Sequence, residues 1–218
     1  MSDHEKIKFY SPLEERINII SHAFGLLLSI VALVLLVERA IPYGNTLYVV
    51  SFAIFGISLI SLYAASTFYH STRSPRLRAR LRIVDHATIY VLIAGTYTPF
   101  ALVTLNGPVG WTIFTVSWTM AVSGIVLKLF FTGRYELLST LMYVFMGWIV
   151  IFVLKPVVNN LPVAGLVWLV AGGMSYTLGA VIYSIKKVSF NHSIFHIFVL
   201  AGSFCHFMAI YYYVLPQR

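Results

Sequence analysis

Six histidines and one aspartate sit within, or at the edges of, long apolar runs: His22, His70, Asp85, His86, His192, His196 and His206. His192 and His196 stand at i and i+4, a spacing that puts both imidazoles on one face of a helix, one turn apart. Such a pair can hold one metal ion, as in the zinc motif HExxH, although the glutamate of that motif is absent here. Two imidazoles do not complete a site, so a third ligand must come from elsewhere in the chain. Three histidines would leave one tetrahedral position for water, the pattern of a catalytic zinc centre. The ion pulls the pKa of that water towards neutrality and turns it into a nucleophile. The competing explanation of the same residues is a hydrogen-bonded histidine network that ties helices together with no metal.

The elements that must position these groups are membrane helices. Hydrophobic residues make up 59% of the 218 and charged residues 10%, against about 25% charged in soluble domains. That is too few polar side chains to cover a soluble globule. Crossing the hydrocarbon takes about 20 apolar residues in a helix. Seven such runs are read, roughly Ile17–Val37, Leu47–Tyr69, Val84–Leu105, Trp111–Phe131, Leu137–Leu154, Val163–Ile185 and Ser193–Leu215. Breakers such as Pro42-Tyr43-Gly44-Asn45, Asn106-Gly107-Pro108, Gly133-Arg134 and Asn159-Asn160-Leu161-Pro162 separate them. The fold class is an all-α membrane protein, a seven-transmembrane-helix bundle. Residues 1–16 form an N-terminal tail, 17–215 the transmembrane domain and 216–218 a C-terminal tail. No cleavable signal peptide is read, and the lone Cys205 excludes an internal disulfide.

Orientation follows from the fifteen lysines and arginines. With the N-terminus in the cytoplasm and the C-terminus outside, twelve lie on inner segments and three, Arg39, Lys155 and Arg218, on outer ones. The connection between spans two and three carries Arg73, Arg76, Arg78, Arg80 and Arg82, read as a loop that sets topology and meets anionic headgroups. The basic charge is spread over such connections, which argues against a nucleic-acid partner. Membrane lipids or a fatty-acyl ligand are the expected partners, and a bacterial inner (cell) membrane the expected location.

Counted from these ends, His22, His70, Asp85, His86, His192 and His196 all fall in the inner third of the membrane, on four helices. Buried ionisable groups are costly there and are functional or paired. His70 shares the depth of the HxxxH pair and is the expected third metal ligand. Asp85 is read as the only carboxylate deep enough to take a proton from metal-bound water. Ser66, four residues before His70, and His22 are expected in the outer shell. His86 points about 100° away from Asp85 on a helix, so both are not expected to face one small site. His206 lies about 15 Å further along its helix than His196 and is read as a packing or polar contact. Thr98-Pro99 inside span three predicts a kink that opens space for a ligand.

The chain resembles the hemolysin III family of bacterial membrane proteins, within the superfamily of the progestin and adiponectin receptors, which is also grouped with alkaline ceramidases. The resemblance rests on Glu14-Glu15-Arg16-Ile17-Asn18 with Ser21-His22, on Ser66-x-x-x-His70, on Asp85 followed by Ala94-Gly95-Thr96-Tyr97-Thr98-Pro99, and on Asn191-His192-x-x-x-His196 with His206. It implies a seven-helix bundle with an inside N-terminus. It also implies Zn2+ near the cytoplasmic face on His70, His192 and His196, with Asp85 beside its water. The adiponectin receptors generally lack a histidine at the position of His86. The expected function is a zinc-dependent hydrolase of a membrane lipid amide or ester, and the ceramidase kinship points to an amide. The alternatives are a membrane lipid or energetics sensor with structural zinc and, with little support, a pore-forming haemolysin.

Overall fold

The computed structural model describes residues 9–131 and 136–216. Lys6 and Lys8, two of the twelve inner cations, the Gly133-Arg134 breaker and Arg218 lie outside the described residues.

Helix α1 spans Pro12–Ala40. Ser11 caps it by accepting from the Glu14 N–H, Pro12 stands in its first turn, and Glu14 and Glu15 face the positive end of the helix dipole. α1 thus starts earlier than the apolar run at Ile17. A 3-10 turn at Ile41–Tyr43 ends in Gly44, whose φ of 64° is left-handed. Asn45 then caps α2, Thr46–Ser71, by accepting from the Leu47 N–H. α3 spans Pro75–Pro99, α4 Gly107–Phe131 and α5 Glu136–Gly147. α6 spans Leu154–Asn160, α7 Val163–Ser184 and α8 Asn191–Ala209. Among the described residues, seven helical stretches are long and apolar enough to cross a membrane, with α5, a 3-10 turn at Ile149–Val153 and α6 forming one of them.

Three details differ from the sequence reading. The arginines after Arg73 are helical, because Pro75 starts α3 in its first turn and arginine is a good helix former. Arg78 is no headgroup residue: it is 1% exposed. The fifth span is not one helix but breaks at Trp148, the residue before the 3-10 turn. The irregularity expected at Thr98-Pro99 takes a particular form. α3 ends at Pro99 and the chain continues as a π-helical segment, Phe100–Leu105. Proline has no N–H to donate, so the regular ladder cannot run through it.

The bundle is apolar on its outside, as lipid contact demands. Phe130 and Phe152 are 74% and 77% exposed, while Asn18, Ser51 and Thr98 are fully buried. Inside, α1, α2, α3 and α8 share one core built on Phe52, Phe55, Tyr63 and Val199. A second core around Tyr90, Tyr97, Ile113 and Met146 joins α3 to α4 and α5. Small residues set close helix approaches. A Cβ on Gly25 of α1 would stand 2.6 Å from the Tyr63 ring of α2.

Candidate metal centre

His70 stands in the last turn of α2, His192 in the first turn of α8 and His196 one turn on. α7 and α8 are joined by a short turn that Asn191 staples, donating from Nδ2 to the Tyr183 carbonyl at 2.9 Å. That staple fixes where α8 begins, and with it His192. The three imidazoles, all buried, meet at one point. His192 Nε2 lies 3.0 Å from His70 Nε2 and 3.1 Å from His196 Nε2.

The hydrogen bonds behind the rings decide which way their lone pairs point. His70 Nδ1 donates to Glu15 Oε2 at 2.7 Å, so its Nε2 carries a lone pair. The Ser21 hydroxyl donates to the Asn18 carbonyl at 3.1 Å, leaving its oxygen to accept from His196 Nδ1 at 3.5 Å. His196 Nε2 then also carries a lone pair. Asn18 is itself held by the Ser193 hydroxyl, which donates to Asn18 Oδ1 at 2.6 Å. A single proton on His192 Nε2 cannot serve both neighbours well, whereas one cation satisfies all three nitrogens. Zinc at about 2.0–2.1 Å from each nitrogen puts tetrahedral ligand atoms roughly 3.3 Å apart. The observed edges fall within a few tenths of that, so the donor set fits a zinc-type ion.

A cavity of about 340 Å³ opens beside the triad. Its wall is apolar along most of its length, with Leu62, Leu92, Phe100, Leu166 and Val199. Phe100, Ala101 and Leu105 of the π segment after Pro99 line it too. Asp85 of α3 borders it at the triad's end, with the Ser66 hydroxyl of α2 buried beside it. His86 borders the same cavity, so both neighbours on α3 reach it: the space is wider than the small site assumed from sequence. His86 is not part of the triad, and its carbonyl accepts from the Tyr143 hydroxyl at 3.0 Å. His22 stacks on His196 with ring centroids 3.5 Å apart and planes 13° from parallel, and among the described residues neither of its nitrogens has a hydrogen-bond partner. His206 borders the far part of the cavity and donates from Nε2 to the Leu169 carbonyl at 3.2 Å.

Sequence reasoning missed three participants. Glu15 is a second carboxylate at the site, correcting the view that Asp85 alone reaches it. It also pairs with the buried Arg78 guanidinium. Tyr10 stacks on His192 with centroids 4.7 Å apart. Burial pushes its hydroxyl far above the usual range, so it covers the site as a neutral ring. A signal for Glu15 was present: Glu15, Asn18 and His22 stand at i, i+3 and i+7, one face of α1.

A model of the Haemolysin-III related family matches residues 10–207, a stretch that holds every residue of this site. The chain belongs to the haemolysin III-related family. Among its relatives, Hemolysin-3 of Bacillus cereus is 46% identical over 203 residues, 93% of each chain. The Hemolysin-3 homolog of Bacillus subtilis (strain 168) is 46% identical over 200 residues, 92% of this chain and 94% of the relative. The monocyte to macrophage differentiation factor of Homo sapiens is 29% identical over 169 residues, 74% of this chain and 69% of the relative. This haemolysin III-related chain is therefore a multi-pass membrane protein with a buried three-histidine cluster able to hold a metal ion.

Proposed function

We propose that the protein is a zinc-dependent hydrolase of a membrane lipid amide or ester, with its N-terminus and metal centre at the cytoplasmic face of the inner membrane. The observation that carries this reading is the junction of two environments. A triangle of imidazole lone pairs, with His192 and His196 in the cavity wall, adjoins an apolar cavity of about 340 Å³, and the Asp85 carboxyl lines the same cavity.

His70, His192 and His196 would hold the ion, which when bound supplies Lewis-acid polarisation of a carbonyl and acidifies water. Asp85 takes the proton of the attacking water and returns it to the leaving amine or alcohol. The Ser66 hydroxyl, buried beside Asp85, would orient its carboxyl. The apolar wall from Leu62 to Val199 binds the acyl chain and excludes bulk water from it. The long axis of α8, ten residues from His196 to His206, gives that chain roughly 15 Å of wall. The arginines and lysines at that end support the inward placement of the site.

The test is lipid hydrolysis by the purified, metal-loaded protein. Asp85→Ala should lower turnover by at least about 100-fold while metal content is unchanged. Equal turnover in that variant would remove Asp85 from the chemistry. Metal-loaded wild type that binds an acyl lipid but never cleaves it would overturn the hydrolase.

A further inference from the structure

We infer that Glu15 is the positioning residue of the metal centre: its carboxylate, anchored by the buried Arg78, locks His70 in the ring orientation and tautomer that aim Nε2 at the ion. The inference rests on the metal-binding part of the reading above and not on hydrolysis.

The geometry is a relay of three groups. His70 Nδ1 donates to Glu15 Oε2 at 2.7 Å. Glu15 Oε1 accepts from Arg78 Nη2 and, at 3.1 Å, from the Tyr10 N–H. Both carboxylate oxygens are thereby committed, one to the ligand and one to the anchor. Arg78 is held on all sides. Its Nη1 faces the Tyr69 and Thr72 carbonyls at the end of α2, each at 3.3 Å. Its guanidinium lies over the rings of Phe9 and Tyr69, at 4.4 and 4.6 Å from their centroids. A cation so enclosed, 1% exposed, requires a carboxylate partner, and Glu15 is in contact with it. Arg78 thus ties the start of α1, the end of α2 and the start of α3 to the ligand's far nitrogen. Metal-ligating histidines characteristically donate their second N–H to such a carboxylate, and loss of that partner costs about 10- to 100-fold in metal affinity.

The experiment is competition between the full-length protein and a chromophoric chelator for Zn2+, after metal has been stripped. Co2+ absorption of the same samples reports ligand geometry. Glu15→Gln keeps the shape of the side chain but not its charge. It should weaken Zn2+ binding by about tenfold or more and shift the Co2+ bands. Arg78→Gln should weaken binding by a smaller factor, because Glu15 stays in place but is less constrained. Phe152→Leu, on the exposed outside of the fifth span, should leave both readouts as in wild type. Wild-type Zn2+ affinity and an unshifted Co2+ spectrum in folded Glu15→Gln would overturn the inference. If Glu15→Gln fails to fold, the decision passes to Arg78→Gln, with unchanged affinity again overturning it. Wild type that binds no Zn2+ would instead overturn the metal reading itself.

Discussion

The two halves of the bundle are built to different standards. Around the triad, α1, α2, α3 and α8 interlock through small residues and buried hydrogen bonds. Gly25 lets Tyr63 approach, Tyr63 donates to the Ser203 hydroxyl at 2.8 Å, and Asn18 joins α1 to α8. The fifth span, α5 to α6, is the opposite. In its apolar stretch 11% of residues are buried, against 72% in the third span. It is interrupted at Trp148 and leans on the Tyr97 hydroxyl, which donates to the Gly147 carbonyl at 2.7 Å and accepts from the Val150 N–H at 3.1 Å. The contrast teaches where this fold invests its rigidity. Ligand atoms need placement to a few tenths of an ångström, so their helices are clamped. The apolar wall of the cavity carries no such demand.

Substitutions can break or sharpen that contrast, from the largest expected effect down. His192→Ala removes the central nitrogen of the triad and should abolish stoichiometric zinc in the purified protein, read by elemental analysis. His206→Ala, far along the cavity, should leave metal content as it was. Gly25→Ala forces a methyl against Tyr63 and Leu200 in the clamped half. It should destabilise the bundle by about 1–3 kcal/mol, read from thermal or denaturant unfolding in detergent. Trp148→Phe loses the hydrogen bond from Nε1 to the Thr177 hydroxyl, 2.9 Å long, that pins the fifth span to α7. The expected cost is about 0.5–1.5 kcal/mol. Gly147→Ala puts a methyl where nothing lies within 4 Å. It should change stability by no more than about 0.5 kcal/mol. An equal cost for Gly25→Ala and Gly147→Ala would erase the distinction between the halves.

The same contrast governs what was legible in the sequence. Seven apolar runs were plain because lipid leaves a long, uninterrupted signal. The pair His192 and His196 was plain because i and i+4 share a helix face whatever the fold. His70 followed from depth alone. Other features depend on partners distant in the chain. Arg78 looks like its four exposed or half-exposed neighbours in a basic connection, and only the packing of Phe9, Glu15 and Tyr69 around it shows otherwise. Glu15 was hidden for a related reason: it stands among charged residues before the apolar run, where a tail is the ordinary reading. The break at Trp148 has no proline or glycine-rich signature beyond Gly147, since Ile149–Val153 is as apolar as any helix. Its cause is tertiary, the Tyr97 hydroxyl reaching the backbone on both sides of the break.

The central claim is that three histidines hold a metal ion whose last position faces the cavity. X-ray absorption at the zinc edge of the purified, zinc-loaded protein tests it most directly. The account predicts three nitrogen neighbours at about 2.0–2.1 Å and one oxygen, with His192→Ala losing the signal. Four protein ligands around the ion, or no ion retained by the intact triad, would contradict it.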